Sequence, residues 1–205
     1  MSTRSDEPEF WQPRYLTGDT PWDFGGVPLA LTQWLRTESP AGRVLIPGCG
    51  TGHEVRAFHD AGWDVVAVDY TPAAVARAKT MLGPLGNKVI LTDFFTHRFA
   101  SGFAVIYERT FLCSMPRDRW PAYVDRVAEL LADGGRLVGH FLFGDDDDPP
   151  PYPLTEEMAQ ALFGKRFTRV ADEPAVDALP MFAERERWQI WQKKPTNPSS
   201  LLRHR

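Results

Sequence analysis

The sequence predicts an α/β fold in which a mostly parallel β-sheet is covered by helices on both faces. Short apolar runs alternate with segments of helical periodicity along most of the chain. This alternation is typical of parallel sheets, because each parallel strand needs a crossover before the next one. The first apolar run ends in a glycine-rich turn at residues 48–52, and the second ends in an acid, Asp69. A glycine turn and an acid at neighbouring strand ends predict a ligand site at that edge of the sheet.

The predicted strands share apolar, often β-branched residues with turn signals around them. They are residues 44–47, 64–69, 88–91, 103–107, 136–143, 167–171 and 186–193. Helical spacing of apolar residues predicts helices after Pro28, after the glycine turn, after Thr71-Pro72, from Trp120 and from Thr155. No helical pattern separates the last two strands, so we expect a hairpin there and one antiparallel strand.

Length and composition favour a single globular domain that needs no disulfide or structural metal to be stable. The chain has 205 residues, of which 43% are apolar and 24% charged, as in ordinary globular proteins. Two cysteines without close spacing and five histidines without helical ligand spacing predict neither a disulfide framework nor a metal site. A net charge of −4 disfavours a nucleic-acid surface. The same charge favours a small-molecule partner. No apolar run is long enough for a membrane span or a secretory signal, so we expect a cytoplasmic protein. A chain of this size needs no partner to complete its core, so we expect a monomer.

The chain ends are predicted to differ from the domain between them. We expect a disordered lead at residues 1–9, a single domain at 10–194 and a mobile tail at 195–205. Within the domain, residues 10–27 are rich in aromatic residues and in turn-forming residues. The turn-forming residues are too frequent for a long regular element. Their rings either plug one end of the core or cover a ligand.

The strand ends carry residues that suit an adenosine-containing ligand. Glycines such as Gly48 and Gly50 let backbone N–H groups approach a bound group closely. Asp69 follows Gly48 by 69 − 48 = 21 residues, the spacing at which an acid meets the hydroxyls of a ribose. Asp93 ends the third strand and can accept from an adenine amine, with the Phe94 ring beside the base.

The spacing of the glycines distinguishes between adenosine cofactors. A dinucleotide fingerprint runs Gly-x-Gly-x-x-Gly, whereas this turn runs Gly-x-Gly-x-Gly, with its third glycine one place early. A P-loop is excluded, because no Gly-Lys-Ser/Thr is present. The turn resembles that of class I S-adenosylmethionine-dependent methyltransferases, which implies a Rossmann-like fold and S-adenosylmethionine as the cofactor, with S-adenosylhomocysteine as its product.

Several motifs together resemble the thiopurine S-methyltransferase superfamily, which includes halide and thiol methyltransferases. They are Trp11-x-x-x-Tyr15, the GDTPWD run at 18–23, VLIPGCGTG at 44–52, Asp93-Phe94-Phe95 and Tyr107-Glu108-Arg109. The resemblance covers roughly residues 10–193. It implies a seven-stranded class I methyltransferase sheet with an N-terminal aromatic cap over the cofactor.

The resemblance also implies the site residues. The cofactor-binding residues are Trp11, Tyr15, Trp22, Gly48, Gly50, Asp69, Tyr70, Asp93, Phe94 and Arg109. Arg109 has three alternative roles: it binds the cofactor carboxylate, it positions an anionic acceptor as a catalytic residue, or it pairs with Glu108 or Asp93. Arginine at this place is typical of thiopurine-type members, whereas the following Thr110 to Cys113 is closer to halide and thiol methyltransferases.

Other reactive side chains have ordinary structural interpretations. Cys49 and Cys113 are expected to be buried packing residues, and His53 a cap or surface residue. The acidic run at residues 145–148 is expected to be a solvated loop near the acceptor rather than a metal site.

We therefore expect a methyltransferase that acts on a small soft nucleophile, a thiol or thiopurine sulfur. The alternatives are a halide or metalloid-oxyanion methyltransferase, an O- or N-methyltransferase, or a protein that binds the cofactor without catalysis. An NAD-dependent oxidoreductase is disfavoured by the glycine spacing. A sulfonium is a cation without hydrogen-bond donors on sulfur, so aromatic faces suit it.

Overall fold

The structure, a computed structural model, describes residues 4–145, 149–182 and 184–195. The strands in these ranges are β1 (Arg43–Pro47), β2 (Asp64–Asp69), β3 (Val89–Leu91), β4 (Phe103–Arg109), β5 (Leu131–Leu142), β6 (Phe167–Pro174) and β7 (Glu186–Lys193). The helices are α1 (Pro8–Thr17), α2 (Leu29–Thr37), α3 (His53–Asp60), α4 (Pro72–Leu82), α5 (Trp120–Leu130) and α6 (Glu156–Phe163).

The described strands form one seven-stranded sheet in the order β3-β2-β1-β4-β5-β7-β6. The pairs among β1 to β5 are parallel, and β7 runs antiparallel to both β5 and β6. The predicted α/β class and the antiparallel last strand are confirmed. The hairpin arises because the chain turns from β6 to β7 without a crossover helix.

Alternating residues of the sheet bury two cores, one on each face. On one face Val44 and Ile46 of β1 pack with residues of α2, α3 and α4. On the other face Leu45 packs with α5 and α6. Because successive strand residues point to opposite faces, one apolar run of β1 serves both cores. This double burial holds β1 at the centre of the sheet and fixes where its glycine turn emerges.

Residues 10–27 were predicted to contain too many turn residues for a long regular element, but the first part of this segment is helical. Helix α1 has ten residues, begins with Pro8 in its first turn and ends at Gly18, which has a left-handed φ of 78°. Proline suits the first helical turn, and a left-handed glycine is a common helix end, so these residues bound the helix. Pro13 lies inside the helix, where a sequence reading takes it for a breaker.

The ordered part of the N-terminal region also begins earlier than the predicted boundary at residue 10. Ser5 is buried, and its carbonyl oxygen accepts a hydrogen bond from Trp11 Nε1 at 2.7 Å. Residues 1–3 of the predicted lead, 146–148 of the acidic run and 196–205 of the predicted tail lie outside the described residues. Across the described ranges, no helix is both long and apolar enough to cross a bilayer.

Candidate active site

A cavity of about 450 Å³ lies where the carboxyl ends of β1, β2 and β4 meet the cap. We call it the main cavity. One wall comes from the cap, the opposite wall from the strand ends, and the remainder from later loops. The lining residues include Trp11, Arg14, Tyr15, Asp19, Trp22, Gly48, Asp69, Tyr70, Phe111, Pro149, Pro150, Pro151, Met181 and Phe182. A ligand in this cavity would contact both the cap and the sheet.

Two smaller cavities adjoin the main one. A cavity of about 40 Å³ near β3 is lined by Asp93, Phe94 and Tyr70, among others. A cavity of about 50 Å³ between the glycine turn and β4 is lined by Gly50 and Arg109, among others. We call them the β3-side cavity and the Arg109 cavity. The predicted site residues are thus distributed over three adjoining cavities along the strand ends, all of which Gly48 lines.

The glycine turn is shaped so that side chains are excluded from it. Gly48 and Gly50 have left-handed φ values of 57° and 52°. A Cβ atom on Gly48 would collide with the ring of Phe111, and one on Gly50 would lie 2.9 Å from the Tyr15 hydroxyl oxygen. Only glycine satisfies both the dihedral angle and the space, so Phe111 and Tyr15 can pack directly against the backbone of this turn.

Asp69 holds this turn in place. Its Oδ2 accepts a hydrogen bond from Gly50 N at 3.1 Å, and its Oδ1 accepts one from Thr71 N at 2.8 Å. Burial raises the pKa of Asp69, and the two N–H donors oppose that rise. The carboxylate therefore has a structural role that the sequence analysis did not assign, while its predicted contact with a ribose stays a prediction.

The β3-side cavity has an acidic edge and an aromatic floor. Asp93 Oδ1 accepts from Phe95 N at 2.5 Å and from Thr96 N at 3.3 Å, which fixes the turn after β3. Phe94 is buried and packs edge-on against the Phe111 ring at 5.6 Å. An acceptor group beside an aromatic floor suits a flat heterocycle with an amine.

The cap presents a cluster of three aromatic rings. Trp22 packs edge-on against Trp11 at 5.1 Å and against Tyr15 at 5.9 Å. Trp22 Nε1 donates to the Tyr15 hydroxyl at 3.3 Å, and Gln12 Oε1 accepts from Ala73 N at the start of α4. The segment therefore covers a cavity rather than filling the main core, in agreement with the lid implied by the resemblance.

Arg109 is a buried cation with unused hydrogen-bonding capacity. It lies at the end of β4, is 8% exposed, and stacks its guanidinium over the Phe24 ring at 4.7 Å. Its Nη1 lies 3.4 Å from His140 Nδ1, whereas Nε and Nη2 have no hydrogen-bond partner among the described residues. Burying donors without partners is costly, so these two groups favour an anionic ligand.

Buried carboxylates surround Arg109 without pairing to it. Burial raises the pKa values of Glu54 and Glu186, and the positive charge of Arg109 opposes both shifts. Burial, aided by the charge of Arg109, lowers the pKa of His140 to about 3. The His140 imidazole is therefore neutral at ordinary pH, and it is not a source of positive charge in the site.

Glu108, which the sequence analysis treated only as a partner for Arg109, shapes the loop after β4. Its Oε1 accepts from Phe111 N at 2.9 Å and Leu112 N at 2.8 Å, and Oε2 accepts from Tyr123 at 2.6 Å. Burial raises the pKa of Glu108 to about 7. These bonds hold the loop that carries Phe111 into the main cavity, so the alternative pairing of Glu108 with Arg109 is wrong. An acid ending an apolar strand was the available sequence signal.

The remaining reactive side chains take structural positions. Cys49 and Cys113 are buried, and burial raises the pKa of each thiol well above its ordinary value. Neutral buried thiols are poor nucleophiles, which favours the packing interpretation of both. His53 Nε2 lies 3.1 Å from Asp23 Oδ1 in the cap. No three metal-ligating side chains come together within the described ranges.

The sheet order, the glycine turn and the acid at the end of β2 define a Rossmann-like α/β protein with a ligand site at the strand ends. A family profile described as "Thiopurine S-methyltransferase (TPMT)" matches residues 6–196. The chain therefore belongs to the thiopurine S-methyltransferase family and is an S-adenosylmethionine-dependent methyltransferase. The match extends over nearly all of the described residues, including the cap.

Individual relatives point in the same direction. The chain is 30% identical to a probable thiol methyltransferase 2 from Arabidopsis thaliana, over 93% of this chain and 88% of the relative. It is 32% identical to thiocyanate methyltransferase 1 from Brassica oleracea, over 89% of this chain and 84% of the relative.

A solved structure confirms the fold. The chain superposes with a TM-score of 0.75 on a Burkholderia thailandensis 1,6-didemethyltoxoflavin-N1-methyltransferase, solved with bound 1,6-didemethyltoxoflavin and S-adenosylhomocysteine. The two are 18% identical, and the likeness covers 91% of this chain and 87% of the other.

Proposed function

We propose that this protein transfers the methyl group of S-adenosylmethionine to a small soft nucleophile, the sulfur of a thiol or of a thiocyanate-like anion. The observation that carries the proposal is the main cavity. It is walled by aromatic rings and prolines, and its charged lining residues in the described ranges are Arg14, Asp19 and Asp69. Such a wall suits a polarisable acceptor better than a heavily hydrogen-bonding one.

The cofactor fits the residues that are present. The side-chain-free turn at Gly48 and Gly50 admits a ligand against the backbone, and the aromatic cap offers faces to a cation. We assign the ribose to Asp69 and Tyr70, and the adenine to the β3-side cavity with Asp93 and Phe94. These assignments are supported by the cavities that the residues line.

Arg109 is assigned to the carboxylate of the cofactor's methionine end. Its two unpartnered donors belong to a side chain that lines the Arg109 cavity, beside the glycine turn. Arg109 is not among the described residues that line the main cavity. The Phe24 ring also covers its guanidinium group. This favours a cofactor role over contact with the acceptor.

Methyl transfer to an ionised acceptor requires that the acceptor be aligned with the methyl group and that water be excluded, but it does not require a general base. The bound cofactor supplies an electrophilic methyl group on a sulfonium. Three groups at the site are otherwise engaged: His53 pairs with Asp23, the buried His140 has a low pKa, and the Asp69 carboxylate accepts from two backbone N–H groups. We therefore assign none of them as a base. The acceptor must therefore arrive already ionised. Tyr15 and Trp22 on one wall and Phe111 on the other exclude water from it.

The size of the main cavity favours a small acceptor. Pockets for whole drug-sized ligands are about 300–1,000 Å³. Here about 450 Å³ has to hold the sulfonium end of the cofactor and the acceptor together. Thiocyanate, hydrosulfide or a short thiol fits better than a bicyclic thiopurine. Iodide is a second candidate, because the same wall without a base also suits a soft halide.

Methyl-labelled S-adenosylmethionine tests the proposal. The protein is incubated with thiocyanate, hydrosulfide, short thiols, iodide and a thiopurine, and labelled products are quantified. We expect turnover with at least one sulfur anion, and a Gly48→Ala variant serves as the control for uncatalysed transfer. Stabilisation by S-adenosylhomocysteine without turnover of any acceptor would support the binding-only alternative instead. Stabilisation by NAD alone would overturn the proposal.

We also infer that the protein acts as a monomer in the cytoplasm. The two cores are closed by the chain's own helices, and the cap is supplied by the same chain. Light scattering at micromolar concentration should give the mass of one chain. A stable dimer whose interface includes the cap would contradict this inference.

A further inference from the structure

Asp23, at the end of the GDTPWD run, connects the cap to the glycine turn. The Thr51 hydroxyl donates to Asp23 Oδ2 at 2.5 Å, and His53 Nε2 lies 3.1 Å from Oδ1. Gly25 N also donates to Oδ1, at 2.9 Å. Thr51 lies in the glycine turn, and His53 is the first residue of α3. One cap carboxylate is therefore bonded to the two residues that flank Gly52.

The carboxylate is held as an anion at this place. Burial opposes its ionisation, but hydrogen bonds from His53, Thr51 and Gly25 outweigh burial and keep the pKa of Asp23 below its ordinary value. The hydrogen bond to Asp23 raises the pKa of His53, and burial opposes that rise. Side-chain exposure is 17% for Asp23 and 22% for His53. The pair is thus shielded enough to be stronger than a surface ion pair.

The neighbouring ring ties this contact to the main cavity. Trp22 precedes Asp23, lines the main cavity and donates to Tyr15, whose hydroxyl lies against Gly50. The cavity lies between these rings and the glycine turn, so a ligand there touches both walls. When the walls separate, the contacts of Asp23 with Thr51 and His53 must break.

We propose that Asp23 is a positioning residue that fastens the cap to the glycine turn and slows escape of the bound cofactor. The inference rests on the proposed placement of the cofactor between these walls. Asp23 need not touch the cofactor; it acts through Trp22 on one side and through Thr51 and His53 on the other.

Protonation of His53 should strengthen this fastening. The charged and titratable groups that face the pair are Tyr15 on the cap, Glu54 on α3 and, through Glu54, Arg109 on β4. Because the pKa of His53 is raised by Asp23, the charged imidazole favours the closed cap. This contribution is complete below the ordinary histidine pKa of about 6.5 and is lost as the pH rises through the raised value. Escape of the cofactor should accelerate over that range.

The test is the dissociation rate of S-adenosylhomocysteine, followed by tryptophan fluorescence in stopped flow from pH 5.5 to 9. Asp23→Asn should dissociate about tenfold faster than wild type at low pH, the size expected for loss of a charge-assisted hydrogen bond. Thr51→Val keeps the carboxylate and should give a smaller increase. His53→Gln keeps an N–H donor but carries no charge, so its dissociation rate should stay near that of wild type at high pH over the whole range. His59→Gln removes an exposed pair with Asp60 at the other end of α3 and should behave as wild type.

The outcomes separate the inference from the proposed function. If wild type binds S-adenosylhomocysteine but Asp23→Asn and Thr51→Val dissociate at the wild-type rate, the fastening role is overturned. The same holds if His53→Gln keeps the wild-type pH profile. A lower free energy of unfolding with unchanged dissociation rates would show that Asp23 supports the fold alone. Failure of wild type to bind S-adenosylhomocysteine would instead overturn the cofactor placement.

Discussion

The two halves of the proposed site, one for the cofactor and one for the acceptor, are built in different ways. The cofactor half comes from consecutive strand ends, and its main features are backbone groups: the turn at Gly48 and Gly50, and N–H groups bonded to Asp69 and Asp93. The acceptor half is assembled from the cap, the loop after β4 and residues 149–151 and 181–182, which are far apart in the sequence. Its features are side chains.

This difference explains what each half can select. A backbone cradle is fixed by dihedral angles and by a few hydrogen bonds, so it accepts one shape of ligand. A wall of side chains from separate loops changes with each substitution without disturbing the sheet. On the proposed assignment, cofactor identity depends on the cradle at the strand ends, whereas acceptor identity depends on the loops.

The largest expected effect is at the cofactor cradle. Gly48→Ala forces a side chain into a left-handed position and against the Phe111 ring. We expect the free energy of unfolding to fall by roughly 1–3 kcal/mol and the cofactor Kd to rise at least about tenfold. Chemical denaturation and calorimetry measure the two quantities.

Gly102→Ala is the matched control for this change. Gly102 also has a left-handed φ, of 90°, but a Cβ there meets nothing within 4 Å, and the residue lies at the opposite end of β4. It should lose less stability than Gly48→Ala, because only the backbone strain applies, and its cofactor Kd should be unchanged. Equal losses of cofactor affinity in both variants would show that general strain, not the cradle, limits binding.

The second prediction places Arg109 in the cofactor half. Arg109→Gln should weaken S-adenosylhomocysteine by roughly 1.5–3 kcal/mol, the cost of losing hydrogen bonds to a charged group. Methylthioadenosine, which lacks the methionine carboxylate, should bind wild type and variant equally. Calorimetry with both ligands checks this, and Arg14→Gln on the cap wall serves as the control. An unchanged Kd for S-adenosylhomocysteine together with a raised acceptor KM would move Arg109 to the acceptor half.

The sequence predicted the cofactor half better than the acceptor half, for physical reasons. Gly48, Asp69 and Asp93 lie at strand ends, where chain order and hydrophobic patterning place them without knowledge of long-range packing. Helix α1 was missed because Pro13 looks like a breaker, although Pro8 and Gly18 bound the helix. Contacts between distant segments leave no local signal, and for this reason the bonds from Asp23 to Thr51 and His53 were not predicted.

The third prediction concerns the loop after β4 on the acceptor side. Burial raises the pKa of Glu108 to about 7 from an ordinary value of 4.5, so the folded protein binds more protons than the unfolded chain between these values. The free energy of unfolding should therefore fall as the pH rises through that window, by at most about 1.4 kcal/mol per pH unit from this group.

Glu108→Gln isolates that contribution. The amide oxygen can still accept from Phe111 N and Leu112 N, and the amide N–H can donate to Tyr123. Urea unfolding from pH 4.5 to 8 should show a shallower decline in the variant. Asp69, Glu54 and Glu186, whose pKa values are also raised, contribute equally to both proteins. If the free energy of unfolding depended on pH identically in the two proteins, Glu108 would not titrate in this range.

The smallest expected effect is at the boundary between the halves. Trp22→Leu removes an aromatic face from the cap and should weaken S-adenosylmethionine more than the uncharged S-adenosylhomocysteine, by roughly 0.5–2 kcal/mol. Trp22→Phe keeps an aromatic ring, so it should retain most of the preference for S-adenosylmethionine that Trp22→Leu loses. Calorimetric Kd values for both ligands decide the matter. Equal weakening of both ligands would indicate packing rather than recognition of the cation.

A size series of sulfur acceptors tests the central claim most directly. Steady-state kcat/KM is measured for thiocyanate, hydrosulfide, a short thiol, an aromatic thiol and a thiopurine, each at a pH where it is ionised. Because the acceptor half shares about 450 Å³ with the cofactor, we predict the highest values for the small anions and a decline with size. A thiopurine turned over faster than every small sulfur anion would contradict the account.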